Sequence, residues 1–123
     1  MAFIKQGHRE DKPDWVDMSA WGVFSLSAED APGDLHFHDA DEFWFITDGS
    51  ALVLCGDEET VMGPGDLMCA RMGELHHVVE LYGDGPFRGV YAEGPLRGQK
   101  RTGHLHPGTH DLPTPQEIEA SGR

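Results

Sequence analysis

The most constraining feature of this chain is its punctuation. From Trp21 onward, apolar runs of three to six residues recur about every ten residues. They are Trp21–Leu26, Glu42–Ile46, Ala51–Cys55, Thr60–Met62, Leu67–Ala70, His77–Tyr82 and Phe87–Tyr91. Turn-forming clusters such as Thr47-Asp48-Gly49-Ser50, Gly63-Pro64-Gly65-Asp66 and Gly83-Asp84-Gly85-Pro86 separate them. Short strands at this spacing predict an all-β antiparallel sandwich or barrel. With 16 Gly and 8 Pro in 123 residues there is little room for long helices. At this length one domain with one ordinary core is the prior. Glu42–Ile46 and Ala51–Cys55, flanking the first of these turns, read as a β-hairpin.

The two ends differ from this body. Residues 1–20 are polar and acidic and read as an arm with a short strand at Ala2–Lys5. The C-terminal stretch is rich in His, Pro and Gly. Its one helix candidate runs from Thr114 to Ala120, with Thr114 as N-cap and Glu117 three residues on. Residues 1–96 carry 5 Lys+Arg against 19 Asp+Glu, whereas residues 97–123 carry 4 against 3. A net charge of −13 argues against nucleic acid and against anionic lipid as partners. It also disfavours an anionic substrate unless a local cation offsets the field. No apolar run approaches the ~18 residues of a membrane span, and no secretory signal is evident, so a cytoplasmic location is expected. Cys55 and Cys69 lie in apolar surroundings and are expected to be two buried thiols.

The chemistry concentrates in Gly33–Gly49. His36 and His38 are one residue apart, which on an extended chain puts both imidazoles on one face, about 7 Å apart. Glu42 follows a short acidic turn and can fold back to the same point. His76 lies further on. Three imidazoles and one carboxylate suit a single divalent transition metal such as Zn, Fe, Mn or Ni. Such a site can keep a position open for water or substrate.

These residues also carry a resemblance. His36-x-His38-x3-Glu42-x6-Gly49 and Gly65-x5-Arg71-x-Gly73-x2-His76-x3-Glu80 resemble, in order and register, the two motifs of the cupin superfamily. Three positions depart from the pattern. Gly33 stands three residues before His36 rather than six, Arg71 replaces a Pro, and Glu80 replaces an Asn. None is a ligand position. The resemblance spans residues 21–93, between an arm (1–20) and a tail (94–123) expected to pack on the barrel or on a partner subunit. It implies a double-stranded β-helix, the jelly-roll cupin barrel, with His36, His38, Glu42 and His76 as metal ligands. It further implies a metalloenzyme acting on a small oxygen-bearing molecule, a carbonyl or enol, as an isomerase, lyase or cyclase. An iron-dependent dioxygenase and a non-catalytic ligand-binding cupin are the alternatives. Small cupins also pair, so a homodimer is expected.

Strand alternation extends the candidate site. Counting from Glu42, Trp44 and Ile46 face the ligands, with Trp44 as a substrate-contacting wall, while Phe43 and Phe45 face outward as core or dimer surface. Counting from His76, Val78, Glu80 and Tyr82 share one side and His77 the other. Glu80 and Tyr91 are candidate catalytic groups. Arg71 either pairs with Glu74 or sits at the rim to meet an anionic substrate. His104-x-His106, followed by His110, repeats the metal-ligand spacing in the tail, without a following Glu.

Overall fold

The computed structural model describes residues 1–99 and 101–120. Seven strands form: β1 (Ala20–Leu26), β2 (Glu42–Asp48), β3 (Ser50–Cys55), β4 (Glu58–Met62), β5 (Leu67–Ala70), β6 (His76–Tyr82) and β7 (Phe87–Glu93). All pairings between these strands are antiparallel. One sheet has the order β1-β7-β2-β5 and the other β4-β3-β6. The single α-helix among the described residues, α1 (Pro115–Ala120), starts at the predicted cap. Thr114 Oγ1 accepts from Glu117 N–H at 3.2 Å, and Glu117 accepts from Thr114 N–H at 2.7 Å.

The sheets pack face to face. Trp44, Ile46, Met68, Ala70 and Phe87 of one meet Ala51, Val53, Met62 and Val78 of the other in one buried cluster. Burial alternates along β2, with Glu42, Trp44 and Ile46 inward and Phe43 and Phe45 outward. That is the period of two expected of a strand with one buried face.

Three expectations are corrected. β2 and β3 are not a hairpin. β2 pairs with β5 and β7, and β3 with β4 and β6. Gly49 carries the chain from one sheet to the other at φ +81°, pressed so closely on Pro86 that a Cβ there would strike its carbonyl oxygen. The physical reason is burial. Both strands own an inward apolar row, and facing sheets cover two rows where a single hairpin covers none. Second, Ala2–Lys5 forms no strand; the arm instead makes a short 3-10 turn at Arg9–Asp11. Third, Cys69 is exposed and Cys55 half-buried, because Cys69 falls on the outward parity of β5 between buried Met68 and Ala70. Both thiols are free.

The tail is fastened to the body. Phe37 and Leu105, both buried, exchange backbone hydrogen bonds of 2.9 and 3.0 Å. Arg101 grips the buried Asp39 with two contacts, at 2.7 and 3.0 Å. No helix among the described residues is long and apolar enough to cross a membrane.

Candidate metal centre

His36, His38, Glu42 and His76 come together, and all four are buried. They arrive by three routes. His36 sits on an extended segment bridged to His76, with backbone bonds of 2.9 and 3.4 Å in the two directions. His38 follows two residues on. Its carbonyl accepts from Gly73 N–H at 2.9 Å, which ties the loop before β6 to this segment. Glu42 opens β2, and His76 opens β6. Ring centroids lie 4.4 Å apart for His36–His76, 4.9 Å for His36–His38 and 5.3 Å for His38–His76.

The hydrogen bonds decide what these rings can do. Nδ1 of His36 donates to Asp34 O at 2.6 Å, and Nδ1 of His76 to Glu74 O at 2.9 Å. Nδ1 of His38 is shared between Gly103 O at 2.9 Å and Glu93 Oε1 at 3.0 Å. With the proton on Nδ1, a neutral imidazole presents a bare lone pair at Nε2. The Nε2 atoms of His38 and His76 are buried and make no hydrogen bond, although Glu42 oxygens lie 2.9 and 3.3 Å away. Lone pairs facing a carboxylate at that range repel, so the centre calls for positive charge. Protons on the rings or a cation between them supply it.

The pKa directions carry the same message. Burial drives His36 down to about 4, and the neighbouring imidazoles push the same way, so it is neutral at pH 7. Burial also acts to lower His38, but contact with the Glu42 carboxylate outweighs it and the net shift is upward. Burial acts to raise Glu42, yet His38 and His76 hold it well below the usual carboxylate range. Trp44 Nε1–H donates to Glu42 Oε1 and fixes the carboxylate from below. The donor set therefore fits a borderline divalent metal, with each imidazole oriented by an acceptor at its far nitrogen.

Beside the quartet lies a cavity of about 870 Å³. Phe24, Leu26, Val78 and Trp44 supply an apolar wall, and Tyr91 and Glu93 project from β7. Trp44 and Tyr91 thus stand where alternation places them. Glu80 does not. A bulge opposite Leu52/Val53 shifts the register of β6, pairing Val53 with Val78 but Leu52 with Glu80. Beyond Val78 the parity reverses, so Leu81 packs on the core while Glu80 and Tyr82 are exposed. Arg71 is exposed on the loop before β6 and does not line the cavity; Glu74 Oε1 accepts from its backbone N–H at 2.8 Å. His77 stays out of the quartet, its Nδ1 2.9 Å from Gly33 O.

Sequence reasoning missed three participants. Glu93 was findable, since it alternates with Tyr91 on β7. Arg9 and Arg101 were not, because they reach the cavity from the arm and tail. His104, singled out in the tail's His-x-His, lines the cavity as well. His104 stacks on His36, with centroids 3.8 Å apart at 6°, and both His104 Nδ1 and His106 Nε2 contact Asp34 Oδ2, at 3.1 and 2.7 Å.

A family model described as "Cupin domain" matches residues 23–92. A curated relative, "Uncharacterized protein y4oW" of Sinorhizobium fredii (strain NBRC 101917 / NGR234), is 39% identical over 77 residues, which is 63% of this chain and 35% of that protein. Among solved structures, DMSP lyase DddQ from Ruegeria pomeroyi DSS-3 matches at TM-score 0.61 and 26% identity, over 78% of this chain and 46% of that one. A cupin 2 conserved barrel domain protein from Rhodopseudomonas palustris matches at 0.56 and 18%, over 79% and 59%. The chain thus spans about a third of the curated relative's length and under half of the lyase's.

Proposed function

The chain belongs to the cupin family, and from that membership and the site we propose a metal-dependent enzyme acting on a small oxygen-bearing molecule by Lewis-acid catalysis, as a lyase, isomerase or cyclase. One observation carries the reading. Two buried Nε2 atoms without a hydrogen-bond partner converge on a buried carboxylate, at 2.9 and 3.3 Å. His36, His38, Glu42 and His76 would hold the metal. When bound, a divalent transition metal polarises a carbonyl or enol oxygen.

The chain's own residues do the rest. Glu93 and Gly103 keep the proton of His38 on Nδ1. Trp44 keeps Glu42 in place while forming a wall beside it. Phe24, Leu26 and Val78 exclude water from one side of the substrate space, which strengthens every polar contact inside it. Among the three reaction types, the likeness to a DMSP lyase favours the lyase.

The test is elemental analysis of the untagged protein beside a His36→Ala/His38→Ala variant, followed by assays of DMSP and of small carbonyl and enol compounds with each metal in turn. About one metal per chain, lost in the variant, with turnover that changes with the metal, supports the reading. No metal uptake from any ion refutes it. Iron with oxygen consumption would move the chemistry to the dioxygenase class.

A further inference from the structure

Two guanidinium groups line the cavity, and their surroundings differ. Arg101 is matched by Asp39, whose side chain is fully buried, through contacts of 2.7 and 3.0 Å. That cation is committed to holding the tail. Arg9 hydrogen-bonds to uncharged oxygens, with the Glu93 carboxylate in its field. Its Nη2 donates to Trp21 O at 2.8 Å and to Tyr91 Oη at 3.0 Å, with the guanidinium carbon 5.7 Å from the centre of the Trp21 ring. Stacking and two hydrogen bonds fix the plane of the fork. Only one of its three nitrogens makes these two bonds.

Tyr91 is fixed as well. Its ring lies over Gly22 on the paired strand β1, and a Cβ at Gly22 would come within 2.8 Å of Tyr91 Cε1. Because the phenolic oxygen accepts from Arg9, its own O–H is directed elsewhere. Arg9 Nη1 and Nε keep N–H donors outside these two bonds, and the Tyr91 O–H is a further donor beside the same positive charge, at the wall of a cavity in a strongly acidic protein. Two donors on a fork are the geometry that recognises a carboxylate. The charge also supplies the local offset without which the net −13 would repel an anion.

We infer that Arg9 and Tyr91 form the seat for a carboxylate group of the substrate, so that the ligand is a short carboxylate rather than a neutral carbonyl compound. The inference deepens the proposed function and rests on it for the far end of the ligand. Tyr91 and Glu93 are alternate residues of β7, so their Cα atoms are about 7 Å apart. Glu93 Oε1 lies 3.0 Å from His38 Nδ1. The seat and His36, His38 and Glu42 of the quartet line one cavity of about 870 Å³, which suits a small carboxylate. On this inference Tyr91 anchors the ligand, where the sequence reading offers it as a candidate catalytic group.

The experiment uses the full ¹⁵N-labelled chain at low salt, titrated with butanoate and with butanamide, both metal-free and zinc-loaded. Butanoate is expected to shift the Arg9 side-chain N–H signal and the amides of Ala20–Phe24 and Tyr91 in both states. Butanamide is expected to bind at least about tenfold more weakly. Arg9→Gln should weaken butanoate about tenfold or more, Tyr91→Phe less, and Arg9→Lys should restore part of the loss, since it keeps charge without the fork. The amide spectrum reports in each case that the variant is folded. Equal binding of butanoate by folded Arg9→Gln overturns the seat, as does no binding at tens of millimolar. Butanoate bound only in zinc-loaded protein, and equally in Arg9→Gln, places the carboxylate on the metal. The seat then fails and the metal reading stands. Arg9-dependent butanoate binding in a chain that takes up no metal leaves the seat standing and removes the metal reading.

Discussion

Replacing Glu42 by Gln keeps the side-chain shape, removes the charge and tests the centre in two directions at once. In metal-loaded protein it converts a carboxylate ligand to an amide. Structural zinc sites bind with roughly 10–16 kcal/mol in total, so one ligand of four is worth about 3–4 kcal/mol, or ~10²–10³ in Kd. Free metal at about a thousand times the wild-type Kd stabilises the fold by ~4 kcal/mol. A chain of this length gains about 4 °C in Tm per kcal/mol, hence ~15 °C. The variant should gain roughly 5 °C or less under the same conditions.

In metal-free protein the effect depends on pH. The pKa of His38 is raised by its contact with Glu42, so its stabilising contribution is full below its ordinary 6.5 and is lost as pH rises through the folded value. Glu42 is lowered, so its contribution is present above its ordinary 4.5 and is lost as pH falls through its folded value. The pair therefore supports the empty site most strongly between about 4.5 and 6.5. At pH 5.5, Glu42→Gln should cost roughly 3 kcal/mol, the scale of breaking a buried ion pair. At pH 8.5 the cost should be smaller than at pH 5.5, because as His38 loses its proton the carboxylate faces a lone pair to which the amide can donate. Thermal melts at both pH values, with and without zinc, give all four numbers. A Gln variant that gains as much from zinc as the wild type would refute the ligand assignment. An equal metal-free penalty at both pH values would mean that the quartet is a fixed hydrogen-bond network and not a site awaiting a cation.

Other expectations follow from particular contacts. Glu93→Gln loosens the hold on His38 Nδ1 and should weaken metal binding about 10–100-fold in competition with a chelator; unchanged affinity would leave Gly103 O as the sole orienting group. Arg101→Ala strands the buried Asp39 carboxylate and should lower stability by ~3 kcal/mol in denaturant melts, with the tail released to protease; an unchanged midpoint would mean that the Phe37–Leu105 bridge holds the tail alone. The outer face of the four-stranded sheet presents a row, Val23, Val90, Phe45 and Leu67, that runs straight across all four strands at 42–72% exposure. We propose it as the face on which two copies pair, apolar row on apolar row. Phe45→Glu should then convert a dimer to a monomer by light scattering, and a wild type that is already monomeric at micromolar concentration dismisses the proposal.

The sequence alone carried the all-β class, the strand positions to within a residue or two, and the residues of the quartet. It could do so because these signals are local. Alternation tells which side of a strand a residue takes, glycine clusters tell where strands stop, and His-x-His with a nearby Glu is chemistry written within seven positions. Tertiary structure decided everything that depends on partners far along the chain. Whether β2 and β3 pair or face one another depends on which arrangement buries both apolar rows, and that choice is made by β5, β6 and β7 together. The bulge that turns Glu80 outward arises from register against β3, which period-two counting from His76 does not contain. The protons of the three quartet imidazoles are placed on Nδ1 by acceptors in three different segments, one of them in the tail. The cavity's cations arrive from residues 9 and 101 at opposite ends of the chain. Composition shows these ends as a polar arm and a basic, His-rich tail, but a charge is placed in a site only once the fold has closed around it.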